Sequence, residues 1–185
     1  FSDKDFITVL GPQLMTMIRR TSFATDPDNS RYALGGVLFE LSDGQLHLAG
    51  TDSRRLAVTS TAYGKVGAEQ ENQRLVVPIK ACKLIVSALA ECEEVSMAMK
   101  HNSVSLKIGD VTIFSRIVEG WFPRWRDVIP RQFNKTVPLV GERFASAIRQ
   151  AMVVSNDEDR GVQMTFAEGS LAIQCATANG EAKIE

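Results

Sequence analysis

The spacing of apolar residues along the chain changes period in the same order three times. FITVL (6–10) alternates, carries β-branched residues, and reads as a strand. After a Gly11-Pro12 break, QLMTMIRRTSFA (13–24) puts Leu14, Met17, Ile18 and Thr21 at helical spacing. The turn formers of TDPDNS (25–30) follow, then three strands: YALGGVLFEL (32–41), QLHLAG (45–50) and RRLAVTSTAY (54–63). Asp43-Gly44, between the first two of these, is a hairpin signal. The order then restarts. RLVVPI (74–79) is a strand, and KACKLIVSALA (80–90) a helix with Ala81, Leu84, Ile85 and Ala88 on one face. EVSMAMK (94–100), SVSLKIG (103–109) and VTIFSRIV (111–118) are strands, punctuated by His101-Asn102 and Gly109-Asp110. Past Pro130 it begins again: strand KTVPLV (135–140), helix ERFASAIRQAMVVS (142–155), then strands GVQMTFAE (161–168), SLAIQCAT (170–177) and EAKIE (181–185).

A β-α-β-β-β block of roughly sixty residues therefore recurs three times, the mark of a supersecondary unit that buries its apolar face against a neighbour. The expected class is α+β. Blocks one and two should pair into one domain over residues 1–130, with two helices on a common antiparallel sheet. The third, 131–185, reads as the first half of a further domain, and half a domain would leave one sheet face open. We expect a C-terminal continuation, and Phe1 in place of Met points to a piece of a longer chain.

Composition narrows the function classes. A hydrophobic share of 44% and a charged share of 23% are those of an ordinary globular protein. No apolar run reaches membrane-span length and no signal-peptide pattern opens the chain, so no membrane partner is expected. Cys82, Cys92 and Cys175 are odd in number and lack CxxC spacing, as for reduced thiols in a cytoplasmic protein. With a net charge of −1, contact with nucleic acid has to come from charge placement.

That placement is uneven. Helical geometry puts Arg19 and Arg20 on the outer side of the first helix, Lys83 opposite the apolar stripe of the second with Lys80 flanking it, and Arg149 opposite that of the third with Arg143 to one side. Acids cluster in Glu91-Cys92-Glu93-Glu94 and Asp157-Glu158-Asp159, while Glu142 sits at a helix start, where the macrodipole favours it. Exposed helix positions take Lys and Arg for solubility alone, which accounts for any one of these residues. Three helices biased alike also suit a surface that attracts phosphates without reading bases.

Two other stretches stand out. In TDSRRLAVTS (51–60) a polar turn runs into Arg54 and Arg55, which open an apolar strand; adjacent strand residues point to opposite faces, so the two should have different neighbours. In EGWFPRWRDVIP (119–130) Trp121, Phe122 and Trp125 surround Pro123 in a connector between domains. So much apolar surface does not belong to a flexible linker. It packs a joint, or it forms one wall of a groove.

Catalytic patterns are missing. There is no GxGxxG, Walker loop, HExxH or GxSxG, and Gly35-Gly36 sits inside a strand, as a bulge or close backbone approach. His47 and His101 lack paired-ligand spacing, and the acids of SNDEDRG (155–161) lack the alternation of a calcium loop. Cys175 reads as core packing. Neither enzyme activity, nor a cofactor, nor a metal is expected.

Taken together, the triple βαβββ order and the stretches RYALGGVLFEL, LHLAGTDSRRLAV, VVPIKA, GDVTIFSRIVEGWFPRWRDVIP and SNDEDRGVQMTF resemble the bacterial replicative sliding clamp, the DNA polymerase III beta subunit. The resemblance covers the middle clamp domain and the first half of the third. It implies a non-enzymatic processivity factor in which two subunits close head-to-tail into a ring, its helices facing double-stranded DNA without sequence specificity. The DNA-facing positions would be Arg19, Arg20, Lys80, Lys83, Arg143 and Arg149. It also implies a hydrophobic cleft for short linear peptides of the polymerase III alpha subunit, the clamp loader, other polymerases and repair proteins. Carried over, the cleft positions are Leu34, Thr51, Ser53, Arg54, Arg55, Leu56, Pro123 and Val128, with Arg31 beside them. One arginine would serve the cleft and its neighbour the opposite face. Where the family commonly shows TDGHRL, this chain has TDSRRL. Ring closure uses edges of the first and third domains, so a chain of this extent should not close a ring as a homodimer. A stand-alone peptide-binding scaffold with the same fold is the alternative, and retention on DNA discriminates the two.

Overall fold

The computed structural model describes residues 5–26, 28, 33–65, 72–155, 161–177 and 180–184. The chain divides into two compact units, Phe1–Ile129 and Pro130–Glu185. The first runs β1 (Ile7–Leu10), α1 (Gly11–Ser22), β2 (Gly36–Ser42), β3 (Gln45–Thr51), β4 (Leu56–Ala62), β5 (Gly64–Lys65), β6 (Arg74–Pro78), α2 (Ile79–Ala88), β7 (Glu94–Lys100), β8 (Ser103–Ile108) and β9 (Val111–Arg116). A single helical turn, α3 (Trp125–Val128), lies in the connector.

These strands form two antiparallel sheets, ordered β4-β3-β2-β6 and β5-β1-β7-β8-β9, where a single common sheet was expected. The reason is an exchange. Each block donates its leading strand to the other block's sheet: β6 pairs with β2, and β1 with β7. Neither block can then complete a sheet alone, and both helices bury against one shared core. Leu14, Met17 and Ile18 of α1 and Ala81, Cys82 and Ile85 of α2 meet Val37, Phe39 and Leu41 of the first sheet and Val95, Met97 and Leu106 of the second. Burial pushes the Cys82 thiol up to about 12, so it is a packing residue and not a nucleophile. Leu84, read as part of the core stripe, is 63% exposed; the stripe runs instead through Ala81, Cys82, Ile85 and Leu89, one step round the helix.

Gly36 shows why a glycine pair interrupts an apolar strand. A Cβ there would sit 2.2 Å from the Val77 carbonyl oxygen, so the β2–β6 approach requires its absence. The residues just before it, 33–35, are turn and bend, which shortens the strand read over 32–41. At the other hairpin end β4 begins at Leu56, and Arg54 and Arg55 belong to the turn before it.

The second unit holds α4 (Gly141–Ala151) and a sheet β10-β11-β12 made of Gln163–Ala167, Ser170–Thr177 and Gly180–Ile184. Its small core centres on Ala151, Ile173 and Cys175, and β10 is exposed along its length. Residues 135–140, read as a strand, form none. In the first unit a leading strand finds its partner in the other block's sheet, and among the described residues no second sheet of this unit exists for 135–140 to join. No helix among the described residues is long and apolar enough to cross a membrane.

Candidate peptide-docking site and basic helix faces

The β4-β3-β2-β6 sheet has two differently used faces, because side chains alternate along each strand. Val37, Phe39 and Leu41 point to the helices. Leu38 points the other way and forms, with Ala49, Val76 and Ala33, a second cluster that receives Phe122 and Trp125 from the connector; Leu56 and Val58 of β4 pack at its margin. The β4 side of the sheet and the Phe122–Trp125 segment thus share one apolar patch.

At the corner of this patch lies the turn 51–56. Asp52 organises it. Its Oδ1 accepts the backbone N–H groups of Arg54 (3.0 Å) and Arg55 (2.9 Å), and its Oδ2 accepts Arg55 Nε (2.9 Å). The two backbone donors, joined by the guanidinium charge, hold the Asp52 carboxyl below the usual aspartate range. Thr51 Oγ1 donates to the Arg55 carbonyl (2.7 Å) and accepts the Ser53 N–H (3.1 Å), closing the turn from within. Ser53 has φ +72°, a left-handed conformation that a glycine would adopt at lower cost.

Arg55 therefore does not reach through a sheet to its far face. It pairs with Asp52 and lies over the exposed ring of Phe23, 5.7 Å from the ring centroid. Arg54 is exposed on the same turn. The expectation of one arginine per sheet face falls because the pair precedes the strand.

The remaining cleft positions divide. Leu56 and Pro123 are half-buried and Val128 is 67% exposed, so all three offer apolar surface. Leu34, at 1% exposure, lies beneath the surface, and Thr51, at 7%, serves the turn from inside; neither forms an open floor. Arg31 lies outside the described residues, as do the acids 157–159.

Sequence reading missed a charged hub beside the patch. Glu40 of β2, only 8% exposed, points to the connector face. Its cross-strand neighbours there are Arg74 and His47. The Glu40 carboxylate pairs with Arg126, meets Arg74 Nε at 3.7 Å, and takes a long contact of 3.5 Å from Trp125 Nε1. Arg126 also stacks on the Trp125 ring (4.1 Å) and donates to Ser42 Oγ (3.2 Å). Arg74 Nη2 donates to the carbonyls of Phe122 (2.9 Å) and Pro123 (3.0 Å). His47 rests 5.9 Å from the Trp125 ring, and burial, then the Arg126 charge, lower its pKa from 6.5. A glutamate in the apolar run GVLFEL was the available signal, since a carboxylate inside a sheet needs partners.

On the opposite side, Arg19, Arg20, Lys80 and Lys83 are exposed on α1 and α2. Arg19 and Lys83 line one groove of about 320 Å³ between these helices, over Ile18 and Cys82. In the second unit Arg143 and Arg149 are exposed on α4. Arg19, Arg20 and Arg149 also stand in the last turns of their helices, where the macrodipole favours cations. Among the described residues no group of three or more His, Cys, Asp or Glu side chains could hold a metal.

Residues 8–124 match the family described as DNA polymerase III beta subunit, central domain. The chain belongs to that family. The Beta sliding clamp of Pseudomonas putida is 34% identical over 166 residues, which is 88% of this chain and 44% of that protein. That of Chlamydia muridarum is 29% identical over 178 residues, 96% of this chain and 48% of its own length. Among solved structures, the DNA polymerase III subunit beta from Pseudomonas aeruginosa superposes with a TM-score of 0.89 at 28% identity, covering 99% of this chain and 51% of that one. A second structure of the Pseudomonas aeruginosa clamp, bound to griselimycin, gives 0.88 at 28% identity, covering all of this chain and half of that one. The chain spans about half the length of the relatives it matches. Its α+β architecture is that of the sliding clamps, and the family is that of a processivity factor of DNA replication.

Proposed function

We propose that this chain is the central part of a sliding clamp, its first unit the complete middle domain and its second the first half of the next. In that reading it is non-catalytic, acts in the cytoplasm, and works through the two faces of one sheet. The observation that carries this reading is the division of the β4-β3-β2-β6 sheet, with cationic helices on one side and the apolar patch of Leu56, Phe122 and Trp125 on the other.

Physically the division suits a clamp. Arg19, Arg20, Lys80, Lys83, Arg143 and Arg149 would attract the phosphate backbone without base contacts, which retains duplex DNA and leaves it free to slide. The patch would receive apolar anchors of short peptides from polymerases, the clamp loader and repair proteins, flanked by Arg54 and Arg55 as donors. Leu56, Pro123 and Val128 supply its accessible apolar surface. Ligand and DNA would then occupy opposite faces and not compete. The full-length protein would form a dimeric ring.

Charge reversal at Arg19, Arg20, Lys83 and Arg149 in the full-length protein tests the DNA half. Retention on circular duplex DNA should fall by more than about tenfold, with a shallower salt dependence, as expected when several phosphate contacts are lost. Peptide binding should be unchanged. Unaltered retention would leave a peptide-binding scaffold with a clamp fold and no DNA role.

A further inference from the structure

The connector 119–129 is held on the sheet by more than apolar burial. Near its start the Val118 N–H donates to the Val76 carbonyl (2.8 Å). A second backbone bond, from the Ala33 N–H to the Trp121 carbonyl (3.4 Å), follows, and the hold on Phe122 to Arg126 comes from side chains. Arg74 grips the carbonyls of Phe122 and Pro123 from β6, while Arg126 and Trp125 reach back to β2. All three of these groups converge on the Glu40 carboxylate. Remove its charge and Arg74 and Arg126 lose the anion between them, while Trp125 loses its acceptor.

We propose that Glu40 is a positioning residue for peptide docking: it touches no ligand, and through Arg74, Arg126 and Trp125 it sets where Pro123 and Val128 stand relative to Leu56. The inference rests on the docking reading above and adds to it the residue that holds the second wall. Three features support it. Glu40 is nearly buried, so its charge is present for the groups around it and not for solvent. Its partners are cross-strand or connector residues, so it bridges sheet and wall directly. The adjoining cavity of about 260 Å³, lined by Glu40, Arg74, Arg124, Trp125, Arg126 and Asp127, leaves the connector room to shift once the hub is broken.

A double-mutant cycle in the full-length protein provides the test. The probe is a synthetic peptide ending in a leucine-phenylalanine pair, titrated by calorimetry. Glu40→Gln should weaken binding by about tenfold, the size expected for losing one charge-assisted contact. Glu40→Asp, which keeps the charge, should recover part of that loss. In a Pro123→Ala background, where the wall is already impaired, Glu40→Gln should cost much less than in the wild type, because both changes act on the same wall. Trp125 emission of the unliganded Glu40→Gln protein should also shift. Equal binding by wild type and Glu40→Gln overturns the positioning role and leaves the docking site standing. Fully additive costs with Pro123→Ala overturn it too, since Glu40 would then act elsewhere. A wild type that does not bind the peptide removes the docking site and this proposal with it.

Discussion

The two faces of the β4-β3-β2-β6 sheet are built on different physics. Toward the helices, Val37, Phe39, Leu41, Leu46 and Leu48 are fully buried in an apolar core shared with the second sheet. Toward the connector, six buried residues form a smaller cluster, edged by the Glu40 hub and by half-buried Leu56 and Val58. The first face makes the fold. The second holds the connector with two buried aromatic rings and a few directional contacts. Apolar contacts are non-directional, while a carboxylate held by two guanidinium groups fixes direction as well as distance.

The comparison predicts unequal responses. Phe39→Ala on the helix side empties a fully buried site and should cost about 3–5 kcal/mol, enough to threaten the whole domain. Urea melts monitored by circular dichroism check this. A cost under about 1 kcal/mol would mean that the shared core is not what holds the sheets together.

A smaller effect sharpens the other face. Because the folded state lowers the His47 pKa, the unfolded chain takes up the proton first as pH falls. His47 therefore costs nothing above its ordinary value of 6.5, and stability declines as pH drops below it, levelling off under the lower folded pKa. His47→Gln should flatten that limb, read as the difference between wild-type and variant melts at about pH 7 and pH 5. A protonated His47 would also be repelled by the Arg126 charge, so the connector should be the first part to respond. Identical slopes would show that the hub does not sense this histidine.

Much of this was legible from the chain alone. Strong periodicity located α1, α2 and most strands within a residue or two and the start of α4 within one, though α4 ends at Ala151, four residues before the end read for it; the turns at Asp43-Gly44 and Gly109-Asp110 stand where their residues suggested. What periodicity cannot carry is partner choice. The exchange of leading strands between blocks is a long-range pairing with no local trace, which is why one sheet was expected where two exist, and why 135–140 read as a strand. The arginine pair was misplaced for a local reason: Asp52 draws two backbone N–H groups into a side-chain turn, delaying the strand to Leu56. The hub around Glu40 depends on cross-strand register, which a single sequence does not specify.

The most direct test of the docking face is a titration of the full-length protein with a leucine-phenylalanine peptide, followed by tryptophan fluorescence, in wild type and Leu56→Asp. Trp125 lies in the same cluster as Leu56, and its backbone N–H donates to the Pro123 carbonyl (2.9 Å), so an occupied patch should change its emission. The wild type should show a saturable change that disappears in Leu56→Asp, with both proteins equally folded. An unchanged titration in Leu56→Asp would contradict docking at this face, and the apolar patch would be packing surface alone.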